Sequence, residues 1–164
     1  MPPRHFTVTA YMVAFTAFFG PLLSLLLQVW PLAPSSVTWR FGLAGLYSAA
    51  LMIPTLGALA GYAAAAQAGH VGVLRLVSLV GALIALSVVL VSGMFILDGI
   101  QVRSTLADQG TGVFDRSTVG ASVHLTLMFA VYSSLAVSAH WSAREGVRHR
   151  RQGRESPGIV SSKR

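Results

Sequence analysis

The amino-acid sequence predicts an all-α polytopic membrane protein, a bundle of four transmembrane helices, and three observations carry that expectation. First, four apolar runs, residues 6–28, 41–66, 76–97 and 119–139, contain no Asp, Glu, Lys or Arg. Each supplies the roughly 20 residues that cross a ~30 Å hydrocarbon layer at ~1.5 Å per residue. Second, 54% hydrophobic and 10% charged residues, with a mean hydropathy of +0.66, leave too little polar surface to cover a water-soluble globule of this length. Third, the charges lie between or beyond the runs, with seven of the twelve Lys and Arg residues after Trp141.

The first run follows Arg4 and His5 and ends at Gln28 and Trp30. It is too long for the apolar region of a signal peptide, and Pro31 and Pro34 make a poor cleavage site, so it is expected to remain as a helix. Pro21 lies inside it, and Pro54 inside the second run. Each lacks an N–H and should free the carbonyl four residues earlier, Ala17 and Ala50, so a kink is expected at both.

The second run opens after Trp39 and Arg40. Gly45, Ala49, Gly57, Gly61 and Ala65 recur at multiples of four, and Gly57 to Gly61 is a GxxxG. Small residues on one helical face let backbones approach in lipid, where no hydrophobic force drives helix against helix. The third run, after Arg75, carries Ser78, Ala82, Ala85 and Ser92 more loosely and closes on Asp98. The fourth contains an unbroken strip at the same spacing, Ser122, Thr126, Ala130, Ser134 and Ser138. Both strips are expected to pack inside the bundle, with docking of another membrane subunit as the alternative. Trp30, Trp39 and Trp141 stand at span ends, where amphipathic rings anchor at headgroup level. Residues 99–118 read as a long outer loop, and 1–141 form the transmembrane domain with 142–164 as a basic tail.

Arg144, Arg148, Arg150, Arg151, Arg154, Lys163 and Arg164 outweigh every other connection, so the positive-inside rule places the C-terminus in the cytoplasm. Four crossings then put the N-terminus and the turn at His70 and Arg75 on the same side. The net charge of +7 sits next to a span, which favours attraction of the tail to anionic lipid over nucleic acid. Eleven of the twelve basic residues are Arg, a bias attributed to a GC-rich bacterial genome, hence an inner-membrane location.

One polar constellation stands out. Arg40 opens the second helix, Asp98 closes the third and Gln28 ends the first, all at one depth on the outer side, with Gln101 and Arg103 following. A carboxylate there needs a cation beside it, so Arg40 and Asp98 are expected to pair as a latch; alternatively the cluster binds a headgroup or a quinone carbonyl. His124 is the ionisable residue inside a span, a functional suspect by position. It shares its helix with His140, about 24 Å away, and the other spans hold no histidine. No intrachain bis-His haem is expected, while a haem or quinone shared with a partner stays open. No cofactor, metal site or catalytic residue is predicted: cysteine is absent, and no acid pair, HExxH, GxSxG, P-loop or dinucleotide fingerprint occurs. The expected function is therefore an accessory or structural subunit of a larger membrane complex and not an enzyme. The alternative is a binding protein for a lipophilic ligand such as quinone, lipid or pigment at the outer interface. A small transporter comes third.

Overall fold

A computed structural model describes residues 4–104 and 108–155, and among them every regular element is a helix. These are α1 (Arg4–Val29), α2 (Val37–Ala50), α3 (Met52–Ala68), α4 (Val71–Arg103) and α5 (Asp108–Glu155). Three are long and apolar enough to cross a membrane, over His5–Val29, Val71–Arg103 and Gly112–Arg148. A fourth span exists if α2 and α3, bent by 41° at their junction, count as one. Large apolar side chains cover the outside, including Leu27, Leu83, Leu90 and Leu97, as expected of surfaces that face hydrocarbon.

The bend lies where Pro54 predicts it. Pro54 has no N–H for the carbonyl of Ala50, and its ring crowds that carbonyl, so the helix stops at Ala50 and restarts at Met52. Leu51 between them is fully buried, and its carbonyl accepts from both the Thr55 N–H at 3.0 Å and the Thr55 Oγ1 at 2.7 Å. Pro21 behaves differently: α1 continues through it as a single helix.

Helices α4 and α5 form the most extensive contact, an antiparallel pair in which Ser78 donates to the Ala136 carbonyl at 2.9 Å. Their facing residues follow a rule that small-residue spacing does not reveal. The buried and half-buried residues along this side of α4 include Leu74, Ser78, Gly81, Ala85, Val88, Ser92, Phe95 and Gly99, and along α5 Ala121, Leu125, Met128, Tyr132, Leu135, Ala139, Ser142 and Gly146. Both sets alternate steps of four and three, the 3.5-residue repeat that keeps one seam facing a partner along a long helix. A strict step of four drifts about 40° per turn away from such a seam. Accordingly the α5 strip lies beside it, with Ser122 half-buried and Thr126, Ala130, Ser134 and Ser138 exposed. The expected inward face is thus corrected for this helix.

The second strip divides at the bend. Gly57 is buried and Gly61 half-buried against α1, whereas Gly45 and Ala49 are exposed, because the break at Leu51 interrupts the register they would share. The expected inward face is corrected for Gly45 and Ala49 too. The bent α2–α3 element lies between α1 on one side and the α4–α5 pair on the other. Gly57 is where α1 comes closest: a Cβ there would stand 2.7 Å from the Phe18 nitrogen and 2.8 Å from the Ala14 carbonyl oxygen. At the end of α3, Gly69 takes the left-handed conformation (φ 67°) that terminates the helix, a geometry glycine adopts without a Cβ penalty.

The 99–118 segment is not the long loop expected from its polarity. Helix α4 runs to Arg103 and α5 begins at Asp108, and Arg103 meets Asp115 across the pair at 3.0 Å. The fall in hydropathy there does not mark the end of the helices. Likewise α5 continues from Trp141 to Glu155; residues 156–164 of the expected basic tail lie outside the described residues.

The Gly57 contact gives a direct test. Gly57→Ala should destabilise the bundle by about 1–3 kcal/mol, the usual cost of overpacking, because the obstructing atoms are backbone. Gly45→Ala, with nothing within 4 Å of its added methyl, should be neutral or slightly stabilising. Unfolding in mixed micelles titrated with dodecyl sulfate measures both; equal effects would mean that close approach at Gly57 does not hold α1.

Candidate functional site

The polar constellation occupies the end of the bundle where α2 starts and α4 finishes. Arg40 donates from Nε to Asp98 Oδ2 at 2.9 Å and from Nη2 to Asp98 Oδ1 at 2.7 Å, a two-bond fork on one carboxylate. Its third nitrogen, Nη1, donates to the Pro34 carbonyl at 2.8 Å. The Asp98 side chain is 7% exposed and that of Arg40 23%, so the carboxylate depends on the guanidinium for compensation.

Neighbouring residues hold this end shut. Ser36 caps α2 by accepting from the Trp39 N–H at 3.3 Å, and Trp39 Nε1 donates to the Val29 carbonyl at 3.2 Å, tying α2 to the last residue of α1. Phe41, the residue after Arg40, stacks on Phe95 of α4 at 4.7 Å and on Phe114 of α5 at 5.2 Å between ring centroids. One turn of α2 therefore fastens to α1, α4 and α5 together.

The other sequence-predicted residues do not join the pair. Gln28 and Gln101 are exposed. Arg103 engages Asp115, with side-chain exposures of 61% and 44%, a surface contact of little energetic weight. His124 is exposed on the outside of α5. Trp30 and Trp141 are 70% and 58% exposed at their helix ends, while Trp39 is half-buried by its bond to α1. Among the described residues no group of three or more His, Asp or Glu side chains could hold a metal ion.

Three concavities escaped sequence reasoning because each is built from helices distant in the chain. A crevice of about 260 Å³ between α1 and α4 is walled by Phe15, Phe18, Phe19, Val77 and Val80 and floored by Gly57 and Gly81. At the end opposite Arg40, a groove of about 770 Å³ runs between α4 and α5 and is edged by Arg75, Arg144 and Arg148. A third, shallow hollow of about 410 Å³ lies between α3 and α5, where Leu59 and Tyr62 face Ala130, Ser134 and Ser138. No protein-family model matches the chain, and neither a curated protein nor a solved structure does.

The ion pair predicts a signed coupling. Arg40→Gln and Asp98→Asn should each lower the dodecyl sulfate unfolding midpoint more than the double variant does, since a lone survivor keeps its charge without its partner. Additive losses would show that the two side chains act independently.

Proposed function

We propose that the protein is an accessory subunit of a membrane complex: a four-span bundle, both termini cytoplasmic, that positions partners and performs no chemistry of its own. The observation that carries this reading is the exposed strip of α5. Thr126, Ala130, Ser134 and Ser138 are small and lie on the outside, and the last three border the hollow where Leu59 and Tyr62 supply a wall. Thr126 and Ser134 donate to the carbonyls of Ser122 and Ala130 at 2.9 and 2.7 Å, so their hydroxyls are satisfied on their own helix and the surface stays smooth. A second helix can approach such a strip closely and gain dispersion contact along its length, the term that drives association in lipid. The arginine excess supports a bacterial inner membrane. The internally bonded Arg40–Asp98 pair favours a structural latch over a ligand site at that end.

The α1–α4 crevice favours a second reading, binding of a lipophilic ligand. Its walls are aromatic and aliphatic, and the α1 backbone lies against α2 and α3 rather than α4, so a flat or linear apolar molecule could enter from the bilayer. That site would lie away from the Arg40 end expected for a ligand from sequence.

The chain has no cysteine, which makes single-cysteine cross-linking clean. In native membranes, Ser134→Cys should give an adduct with another membrane protein, and Leu90→Cys, on a different exposed face, should give none. An adduct of twice the chain's mass would assign the strip to a second copy, and the absence of any adduct from Ser134→Cys would overturn the docking reading.

Orientation is tested separately. A reporter active only in the cytoplasm should work when fused after Arg164 and fail when inserted between Ser104 and Asp108. Activity at the second position would reverse the proposed topology.

A further inference from the structure

We infer that the groove between the start of α4 and the far part of α5 is a stoichiometric site for one anionic phospholipid, its phosphodiester held by Arg75, Arg144 and Arg148. Arg75, Leu79 and Ala82 lie on one face of α4; His140, Arg144, Val147 and Arg148 lie on the facing side of α5, and together they line the groove. Among the described residues no carboxylate pairs with any of these three arginines, in contrast to Arg40 and Arg103. Three guanidiniums that share a concavity without a counter-ion repel one another unless an anion joins them.

Depth selects the lipid as the source of that anion. Arg75 and Asp98 are 23 residues apart on α4, about 35 Å along the axis, with only uncharged residues between. If Asp98 marks one edge of a ~30 Å hydrocarbon layer, Arg75 stands at headgroup level on the other. Leu79 and Ala82 continue the same groove roughly 6 and 10 Å deeper, where a glycerol backbone and acyl chain follow a phosphate. A free phosphate would use the arginines and leave this apolar extension empty.

The groove is built on a fixed floor. Ala143 is 3% exposed and packs in a cluster with Leu74 and Ala65. A Cβ on Gly146 would fall 2.9 Å from Val71 Cγ2, so α5 keeps close to α4 as both leave the membrane. Ser78 is already committed to the Ala136 carbonyl, which locks the helices one turn above Arg75. The guanidiniums therefore project from two helices whose separation is set by packing, unlike Arg150, Arg151 and Arg154, which follow one another on a single helix. This site rests on α4 and α5 crossing the membrane and is independent of any partner subunit at the α5 strip.

The test uses the full chain in detergent with phosphatidylglycerol or phosphatidylcholine added, read by native mass spectrometry. One phosphatidylglycerol should stay bound per chain, at least tenfold tighter than phosphatidylcholine. The triple variant Arg75→Gln, Arg144→Gln, Arg148→Gln should lose it, at roughly fivefold in affinity per guanidinium removed. Removing the same charge with Arg150→Gln, Arg151→Gln, Arg154→Gln should leave binding within twofold. Ala82→Phe, which fills the apolar part and keeps every charge, should also weaken binding, and unfolding midpoints without lipid should match the parent in all three variants. Equal loss in both triple variants would reduce the effect to diffuse attraction by the basic segment and overturn the site. Equal retention of phosphatidylcholine would overturn the role of charge. Glycerol 3-phosphate binding as tightly as the lipid would show a headgroup-only anion site and overturn the lipid assignment.

Discussion

The seam between α4 and α5 is the contact on which the other helices depend. Two helices of 33 and 48 residues remain in register because every third or fourth residue of each faces the other, from the Phe95 and Leu125 end to Leu74 and Ala143. In lipid such a seam gains nothing from expelling water; its stability comes from shape, with Gly81 of α4 leaving room for Ala136 and the Tyr132 backbone of α5. The bent α2–α3 element then lies against this pair, and α1 lies on α3. Helix α1 buries only Ala14 and Val29 among its apolar residues.

The latch adds direction to a packing that shape alone leaves permissive. An apolar α2 could slide along α4 by a turn at small cost, since one aliphatic surface resembles the next. Arg40 cannot: moving it one turn, about 5.4 Å, would leave Asp98 shielded and unpaired, the expensive state for a carboxylate. Phe41 reinforces the same register by lying between Phe95 and Phe114. Polar pairing at one depth thus specifies where α2 begins relative to where α4 ends.

Hydropathy located the apolar helices because the solvent is read directly from residue type, and antiparallel order alone placed Arg40 opposite Asp98. Pro54 disclosed the bend for an equally local reason, a missing N–H. What composition could not disclose was which side of each helix faces inward. A strip of small residues at four-residue spacing is the same pattern whether it meets a neighbour in the chain, a partner or lipid, and only the larger residues at three-four spacing, Leu125, Tyr132 and Leu135, settle the choice on α5. Polarity in 99–118 misled for a related reason: it reports the medium around a helix, and a helix that leaves the bilayer need not stop. The basic groove was invisible because Arg75 and Arg148 are 73 residues apart and share a site only through the antiparallel pairing.

The two ends of the bundle solve one problem in opposite ways. A guanidinium near the edge of the hydrocarbon layer is partly stripped of water and requires an acceptor. At the α2 end the chain supplies it from within: Asp98 takes two bonds from Arg40 and the Pro34 carbonyl a third, which leaves that end closed and rigid. At the α5 end the described residues offer Arg75, Arg144 and Arg148 no such carboxylate, and in the proposed site a lipid phosphate takes that place. A surface that satisfies its own charges is suited to holding a shape, whereas one that leaves them open is suited to recognition. The asymmetry favours a structural role for the Arg40 end and supports the proposed lipid site at the Arg75 end, where the same rule that pairs charges inside the bundle would pair the bundle with its membrane.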